Sequence, residues 1–464
     1  MHVLAIESGA IDTGDEAIDL GQSPGDIVVL SAADTELNLL ASAVARWPHR
    51  DALSVRLANL TALRHNYSVD LYAETTLRSA KLIVVRLLGG ESYWPYGLQR
   101  LREVARETGA HLAVLPGDDK PDATLAGYAT VDAGPLLHLW RCLIEGGADN
   151  AALFLDGCRA LIEGRDIPEM PAALPRAGLY RVSEADGAPA AGRATIIFYR
   201  ALMQSGDLAP VDALRDALAE RGLAADAIYV SALRDEASRA FVEAHLKARR
   251  PGVVLNATAF ASGGAAAGEP DVLMGHDAPW FQVVFSSRGR DAWADDPAGL
   301  AMRDVAMHVA MPEFDGRITT RAVSFKRDLG RCGLTELIRV ASEPEADRVD
   351  QVADLAAAWA HLGRSKREAR RVAIVLANYP NRDARIANGV GLATPESVAA
   401  ALSSMQAEGY VTGAHPRDGD ALMRDLRSGP TNRGGARAVS EHTYPIADYT
   451  AWFEQLPEAA RDEI

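Results

Sequence analysis

The sequence predicts an α/β protein built on mostly parallel, doubly wound sheets and divided into more than one domain. Three observations lead there. Short β-branched runs recur along the chain, each bounded by turn residues. The stretches between them carry apolar residues at helical spacing and are long enough to cross over between parallel strands. At 464 residues the chain exceeds what one hydrophobic core usually serves.

Taken in order, HVLAI (2–6), DIVVLSA (26–32), ALSVRLANL (52–60), KLIVVRLL (81–88) and AHLAVLPG (110–117) read as strands. TELNLLASAVARW, SVDLYAETTLRSA and YGLQRLREVARETG read as the helices between them, and two more helices follow around 134–145 and 148–163. This gives a first α/β domain over 1–163. Residues 164–193, rich in Pro, Ala and Gly, read as a linker or long crossover. A second α/β domain, 194–364, opens with ATIIFYR and continues with PVDALRDALAERGL, a helix with Val211, Leu214, Ala217 and Leu218 on one stripe. AIYVSAL, GVVLNAT and FQVVFSS are its further strands, and ASGGAAAGEPD (261–271) is a flexible loop. VAMHVAMPEFDGRITTRAVSF reads as two strands joined through Pro312–Gly316, with Asp-Gly making the turn. The third unit, 365–464, offers one strand, RVAIVLA, and one helix, ESVAAALSSMQAEGY. One or two strands do not make an independent sheet, so this unit is expected to be incomplete.

Composition limits the partners. Lysine and arginine number 48 against 63 acids, a net charge of −15, which argues against nucleic acid and against an anionic membrane surface. Arginine greatly outnumbers lysine, so local clusters can still grip planar carboxylates. The first residues lack a charged segment followed by an apolar stretch, and no window reaches the length of a membrane span. The three cysteines, Cys142, Cys158 and Cys332, form no CxxC, and reduced thiols in the cytoplasm are the simplest expectation. The histidines form no HExxH or HxH, so no metal ligands and no catalytic residues can be named from the sequence. His308, within an apolar stretch, reads as a core residue. No GxxxxGK[ST] occurs, so ATP is not expected to bind here through a P-loop; GxGxxG after a strand and GxSxG are absent too.

The densest polar segment is LANYPNRDARIANGVGLATPESVAAAL (376–402). A strand feeds a loop holding Asn378, Asn381, Arg382, Asp383, Arg385 and Asn388. Thr394-Pro395-Glu396 then opens a helix with a hydroxyl cap, proline in the first turn and an acid behind it. Such strand–loop–helix junctions build ligand sites in open α/β sheets, and the guanidiniums suit carboxylates. On shape alone an ordinary βα connection is the simpler reading; the density of side-chain amides and guanidiniums over so few residues shifts the balance towards binding. A second candidate is Arg86 at a strand end, followed by Gly89-Gly90 and by Tyr93, Trp94 and Tyr96, whose rings can cover a flat macrocycle or fill a seam. Gly117-Asp118-Asp119, Tyr199, Gln204 and Asn256 also lie at strand ends. In MPEFDGR, Glu313 or Asp315 could assist proton removal, although the tight turn accounts for the same letters more simply.

NYPNRDARIANGVGLATPES resembles the signature of the family that unites the large subunit of aerobic cobaltochelatases with the magnesium chelatase H subunit. The family pattern has glycine where Ala384 stands, leucine at Ile386 and aspartate at Ala393, so no role for an acid at 393 carries over. Further matches run in family order: VVRLLGGESYWPYGLQRL (84–101), LPGDDKPD (115–122), FYRALMQSGDLAPVDAL (198–214), VVLNATAFA (253–261) and HVAMPEFDGRITTRAVSFK (308–326). The resemblance implies the N-terminal portion of a large subunit that binds a corrinoid tetrapyrrole, hydrogenobyrinic acid a,c-diamide, for cobalt insertion. Cobalt is then a substrate ion, and partner subunits of the AAA+ type hydrolyse ATP. It implies Arg382 and Arg385 for the substrate's carboxylates, Asn378, Asn381 and Asn388 for peripheral amides, Trp94 and Tyr96 for the ring, and Arg86 and Asn256 for the cleft wall. A non-catalytic two-lobed module binding a tetrapyrrole or small acid, and a magnesium chelatase H-type subunit, are the alternatives.

Overall fold

The computed structural model describes residues 17–182, 192–262, 277–379, 383–429 and 443–464. The chain divides into two compact units, Met1–His361 and Leu362–Ile464. The expected first strand, HVLAI, lies outside the described residues.

Within the larger unit the first sheet has four parallel strands in the order β2-β1-β3-β4: β1 Ile27–Ser31, β2 Val55–Asn59, β3 Leu82–Leu87 and β4 His111–Pro116. Alternate residues of each strand enter different cores, as the two-residue side-chain period requires. Ile27, Val29, Leu82 and Val84 pack with the helices Asp34–Arg46, Ala133–Glu145 and Ala148–Glu163 on one face. Val28, Leu30, Ile83 and Val85 pack with Asn66–Thr75 and Pro95–Thr108 on the other. Burial on both sides explains the near-continuous apolar runs of β1, β3 and β4.

The second sheet is mixed and seven-stranded, in the order β11-β10-β9-β8-β6-β7-β5. Its parallel centre comprises β6 (Arg193–Tyr199), β7 (Ala224–Val230), β8 (Val253–Asn256), β9 (Trp280–Gly289) and β10 (Ile318–Arg331). β5 (Ala177–Arg181) and β11 (Ile338–Pro344) close the edges antiparallel. Helices Ala209–Glu220 and Ala346–Arg364 cover one face, and Glu236–Arg249 lies on the other.

The sequence reading departs from this fold in three places. β5 lies in the stretch read as linker, where a half-exposed edge strand leaves little apolar signal. VAMHVAMPEFDGRITTRAVSF is not a strand pair: Met302–Phe314 is helical, with a π-helical turn at Val305–Ala310, and Asp315-Gly316 leads into β10. Consequently His308 sits on a helical turn. Lastly, RVAIVLA (371–377) joins no sheet among the described residues.

The two sheets are joined by the β10–β11 hairpin. β10 runs 14 residues, past the end of its pairing with β9, and carries its tip to the edge of β2. There the Leu57 amide donates to the Thr335 carbonyl at 3.1 Å, and Gln22 Nε2 donates to the Leu57 and Glu336 carbonyls at 2.9 and 3.1 Å. Glu336 accepts from the Ser23 amide at 2.9 Å, the Ser23 hydroxyl at 2.6 Å and Arg331 at 2.9 Å, with Arg56 at 3.4 Å. Burial pushes the Glu336 carboxyl up, but the Ser23 bonds and the two arginines outweigh it and hold it down at about 2.

Candidate functional site

The polar loop belongs to the smaller unit, and its backbone is tightly wound. The Ala387 amide donates to the Ala377 carbonyl at 2.9 Å. A single 3-10 turn, Asp383–Arg385, precedes Ala387, and the Asn388 amide donates to Arg385 O at 3.1 Å. Ala387 is buried at φ +58°, a left-handed conformation that costs a residue with Cβ roughly 1–2 kcal/mol. A Cβ added at Gly389 would stand 2.6 Å from Thr394 Oγ1, so close packing explains that glycine. The helix spans Thr394–Ala407, with Ala393 at the cap position and no side-chain cap. The cap expected at Thr394 is therefore not made: Thr394 is already helical, and its buried hydroxyl has no hydrogen-bond partner among the described residues.

This winding leaves Arg385 and Asn388 exposed, and the Arg385 guanidinium meets no carboxylate among the described residues. Asn378 is half-buried, its Oδ1 shielded from water and unpartnered among those residues. Asn381 and Arg382 lie outside the described residues. The loop thus presents one uncommitted guanidinium and one amide outward, with a second amide beneath.

Arg86, Trp94 and Tyr96 belong to the first sheet. Arg86 is 3% exposed at the C-terminal end of β3 and forms an ion pair with Glu36 at 2.5 Å. It also donates to the carbonyls of Pro116 at 3.2 Å and Gly117 at 2.9 Å, while Ser31 Oγ donates to Glu36 at 2.7 Å. The pair lines a narrow recess with Ser31, Ala32, Ala33, Leu88 and Gly117. That recess lies between β1 and β3, where the winding of the sheet reverses and ligands of such sheets usually bind. Here the Arg86 charge is already met by Glu36. Trp94 is buried, its Nε1 donating to the Leu63 carbonyl at 2.9 Å and its ring lying against Gly97. Tyr96 is partly exposed, its hydroxyl held by Asp70 at 2.8 Å.

Asn256 ends β8 within a buried polar network. Its amide donates to Gln282 Oε1 at 2.8 Å and to the Thr258 carbonyl at 3.0 Å, while its Oδ1 accepts from the Thr258 hydroxyl at 2.9 Å. Arg317 donates to Gln282 Oε1 at 3.0 Å and to Asp315 at 2.8 Å, and Asp315 accepts from the Ser262 amide at 2.6 Å. Tyr199 hydrogen-bonds the Ala259 carbonyl and amide at 3.1 and 3.0 Å, and its burial pushes the phenol up to about 12. Phe260 is held at φ +65°, its amide donating to Met307 O on the π-helical turn. On that turn burial pushes the His308 imidazole below its ordinary value, partly opposed by Asp304. Glu313 is exposed. Asp118 accepts from the Lys120 amide at 3.2 Å, and Gln204 donates to the Ile144 carbonyl at 2.5 Å.

A family model described as CobN/Magnesium Chelatase matches residues 140–464, more than half of the sequence. The chain belongs to the CobN/magnesium chelatase family. Both the polar loop and the Asn256 network fall inside the matched region, whereas Arg86, Trp94 and Tyr96 precede it. Over its full length the chain is 46% identical to the aerobic cobaltochelatase subunit CobN of a Sinorhizobium species and 37% identical to that of Pseudomonas aeruginosa. It spans 38% of the length of each. Among solved structures, the catalytic subunit of cobaltochelatase from Mycobacterium tuberculosis is similar with a TM-score of 0.70 and 28% identity, over 94% of this chain and 35% of that one.

Within the larger unit, Arg86 and Asn256 belong to separate hydrogen-bond networks, one on each sheet, while the polar loop belongs to the smaller unit. Gln282, which holds Asn256, and Glu36, which neutralises Arg86, were missed by sequence reasoning. Their partners lie too far along the chain for any local spacing to reveal; Gln282 is 26 residues from Asn256, and Glu36 is 50 from Arg86. Among the described residues no cluster of three or more histidine, cysteine or acidic side chains is arranged to hold a metal ion, and no helix is long and apolar enough to cross a membrane.

Proposed function

We propose that this chain forms part of the large subunit of an ATP-dependent cobaltochelatase acting in cobalamin biosynthesis, and that its polar loop grips the tetrapyrrole. Identity of 46% and 37% to aerobic cobaltochelatase subunits, each across the full chain, favours cobalt over magnesium as the inserted ion. The single observation behind the binding role is the uncommitted Arg385 guanidinium, held outward by the wound backbone beside exposed Asn388. A corrin ring edged with carboxylates and amides offers bidentate acceptors to an arginine and matched donors and acceptors to asparagine. In this reading Asn378, Asn381 and Arg382 also take part in binding the ring. Cobalt and the ring are both substrates, and ATP hydrolysis comes from partner AAA+ subunits, in keeping with a sequence that has no P-loop. Arg86, Trp94 and Asn256 hold the framework of their sheets in this reading, because their polar groups are already engaged by protein.

Titrating the chain with hydrogenobyrinic acid a,c-diamide, followed by the ring's absorbance, tests this. Saturable binding is expected, weakened roughly tenfold or more in Arg385→Ala, the effect of losing one charge-assisted hydrogen bond. Equal affinity of wild type, Arg385→Ala and Asn388→Ala would contradict the proposed site. Adding cobalt, ATP and the AAA+ subunits to the bound state then separates a chelatase component from a module that only binds.

A further inference from the structure

Where β9 ends, the short helix Arg290–Asp295 sets Trp293 against Phe325 of β10, with the ring centres 5.0 Å apart. Two guanidiniums lie on that indole. Arg290, from the same helix, is 4.9 Å from the ring centre, and Arg348, from the first turn of Ala346–Arg364, is 4.6 Å from it. Each is fixed through its Nε, Arg290 to Glu345 at 2.9 Å and Arg348 to the Ala322 carbonyl at 2.5 Å. The terminal nitrogens of both have no hydrogen-bond partner among the described residues. Arg321, exposed on β10, makes neither a hydrogen bond nor an ion pair among those residues. Against these three cations only Glu345 forms an ion pair there. Burial pulls the half-buried Arg348 guanidinium below its ordinary value, and repulsion from Arg321 and Arg290 acts the same way, opposed by Asp347 and Glu345. Arginines stacked on aromatic rings hold their planar forks in place, so little freedom is left to lose when an anion binds.

We propose that Arg290, Arg321 and Arg348 form, with Trp293, a docking site for an acidic peptide segment of another protein. Three observations select that occupant. The chain carries a net charge of −15, so it repels acidic partners in general and attracts one only where cations are gathered without matching acids. The forks surround an incompletely buried indole, and tryptophan with arginine is the pairing that most often anchors protein interfaces. A free phosphate would draw on main-chain amides at a helix start, but the nearest such start, that of Ala346–Arg364, is flanked by Glu345 and Asp347. Separate carboxylates along a peptide suit guanidinium forks carried on three different elements.

Fluorescence anisotropy of a labelled peptide of alternating glutamate and serine, titrated with the full chain at low salt, tests this. Saturable binding is expected, weakening as salt is added. Arg321→Gln should weaken it roughly tenfold, the loss of one charge-assisted hydrogen bond, and Arg321→Glu should weaken it more. Arg321 has no partner within the chain, so neither variant should disturb the fold. Arg106→Gln removes a likewise exposed and unpaired guanidinium from Pro95–Thr108, on the first sheet, and should leave the affinity unchanged. Absence of binding, or equal weakening by Arg321→Gln and Arg106→Gln, overturns the proposal. So does equal affinity for the peptide with glutamine in place of glutamate. Displacement of the peptide by inorganic phosphate at constant ionic strength would make this a small-anion site instead, and tighter binding of a single-stranded oligonucleotide would assign it to nucleic acid.

Discussion

Two runs of almost the same chemistry sit in opposite surroundings. LIVVRL in β3 is buried throughout and pairs with β1 on one side and β4 on the other. VAIVL at 372–376 lies in solvent and pairs with nothing among the described residues. Side-chain preference for an extended backbone is therefore shared, and only neighbours differ. A β-branched apolar run states that a strand is wanted; the sheet exists only where the fold supplies hydrogen-bonding partners and helices to cover both faces.

Introducing a charge gives the sharpest contrast between the two. Val84→Asp, fully inside β3, should cost at least about 4 kcal/mol and unfold the larger unit, because a carboxylate there has no partner. Val375→Asp should change stability by less than about 0.5 kcal/mol in the chain alone. Urea denaturation of both variants checks this. A large loss in Val375→Asp would mean that the run is packed after all.

Next in size is the ion pair at the end of β3. Glu36→Ala leaves the Arg86 charge buried without its carboxylate and should destabilise the larger unit by about 3–5 kcal/mol. A cost below about 1 kcal/mol would show water reaching the recess.

The hairpin tip that reaches the first sheet should contribute less. Glu336→Gln weakens its charge-assisted bonds to Ser23 and Arg331, with an expected loss of about 1–2 kcal/mol in urea midpoint measurements. The sign with pH follows from a folded value of about 2, below the ordinary glutamate value of 4.5. The contribution is complete above about pH 4.5 and fades as acid carries the carboxyl through about 2, where wild type and Glu336→Gln should converge.

Smallest is Ala387→Gly. Relief of the left-handed strain should stabilise the loop by up to about 1 kcal/mol, read as slower proteolysis between Ala377 and Gly391. Faster cleavage would indicate that the backbone there does not hold φ +58°.

Much of the larger unit was legible because its signals are local. Helix stripes such as Val211, Leu214 and Leu218, and strands buried on both faces such as Ile27–Ser31, announce themselves within a few residues. β5 stayed hidden because an edge strand need not be apolar. The stretch around His308 misled for the opposite reason: an apolar helical turn as short as Val305–Ala310 matches a strand by hydrophobicity alone. The site was legible only as composition. That Arg86 is neutralised by Glu36 depends on a contact across 50 residues, which no spacing rule conveys, and that Arg385 stands outward depends on a backbone winding that composition does not specify. Thr394 shows the same limit at close range, since a one-residue shift in the helix start removed its capping role.

Amide exchange in the chain alone, comparing Leu82–Leu87 with Val372–Leu376, reaches the central claim most directly. The account predicts that the β3 amides exchange only on unfolding of the larger unit, and that those of Val372–Leu376 exchange near the rate of an unstructured peptide. Comparable protection of both runs would contradict it, since the second would then already possess the neighbours it is said to lack.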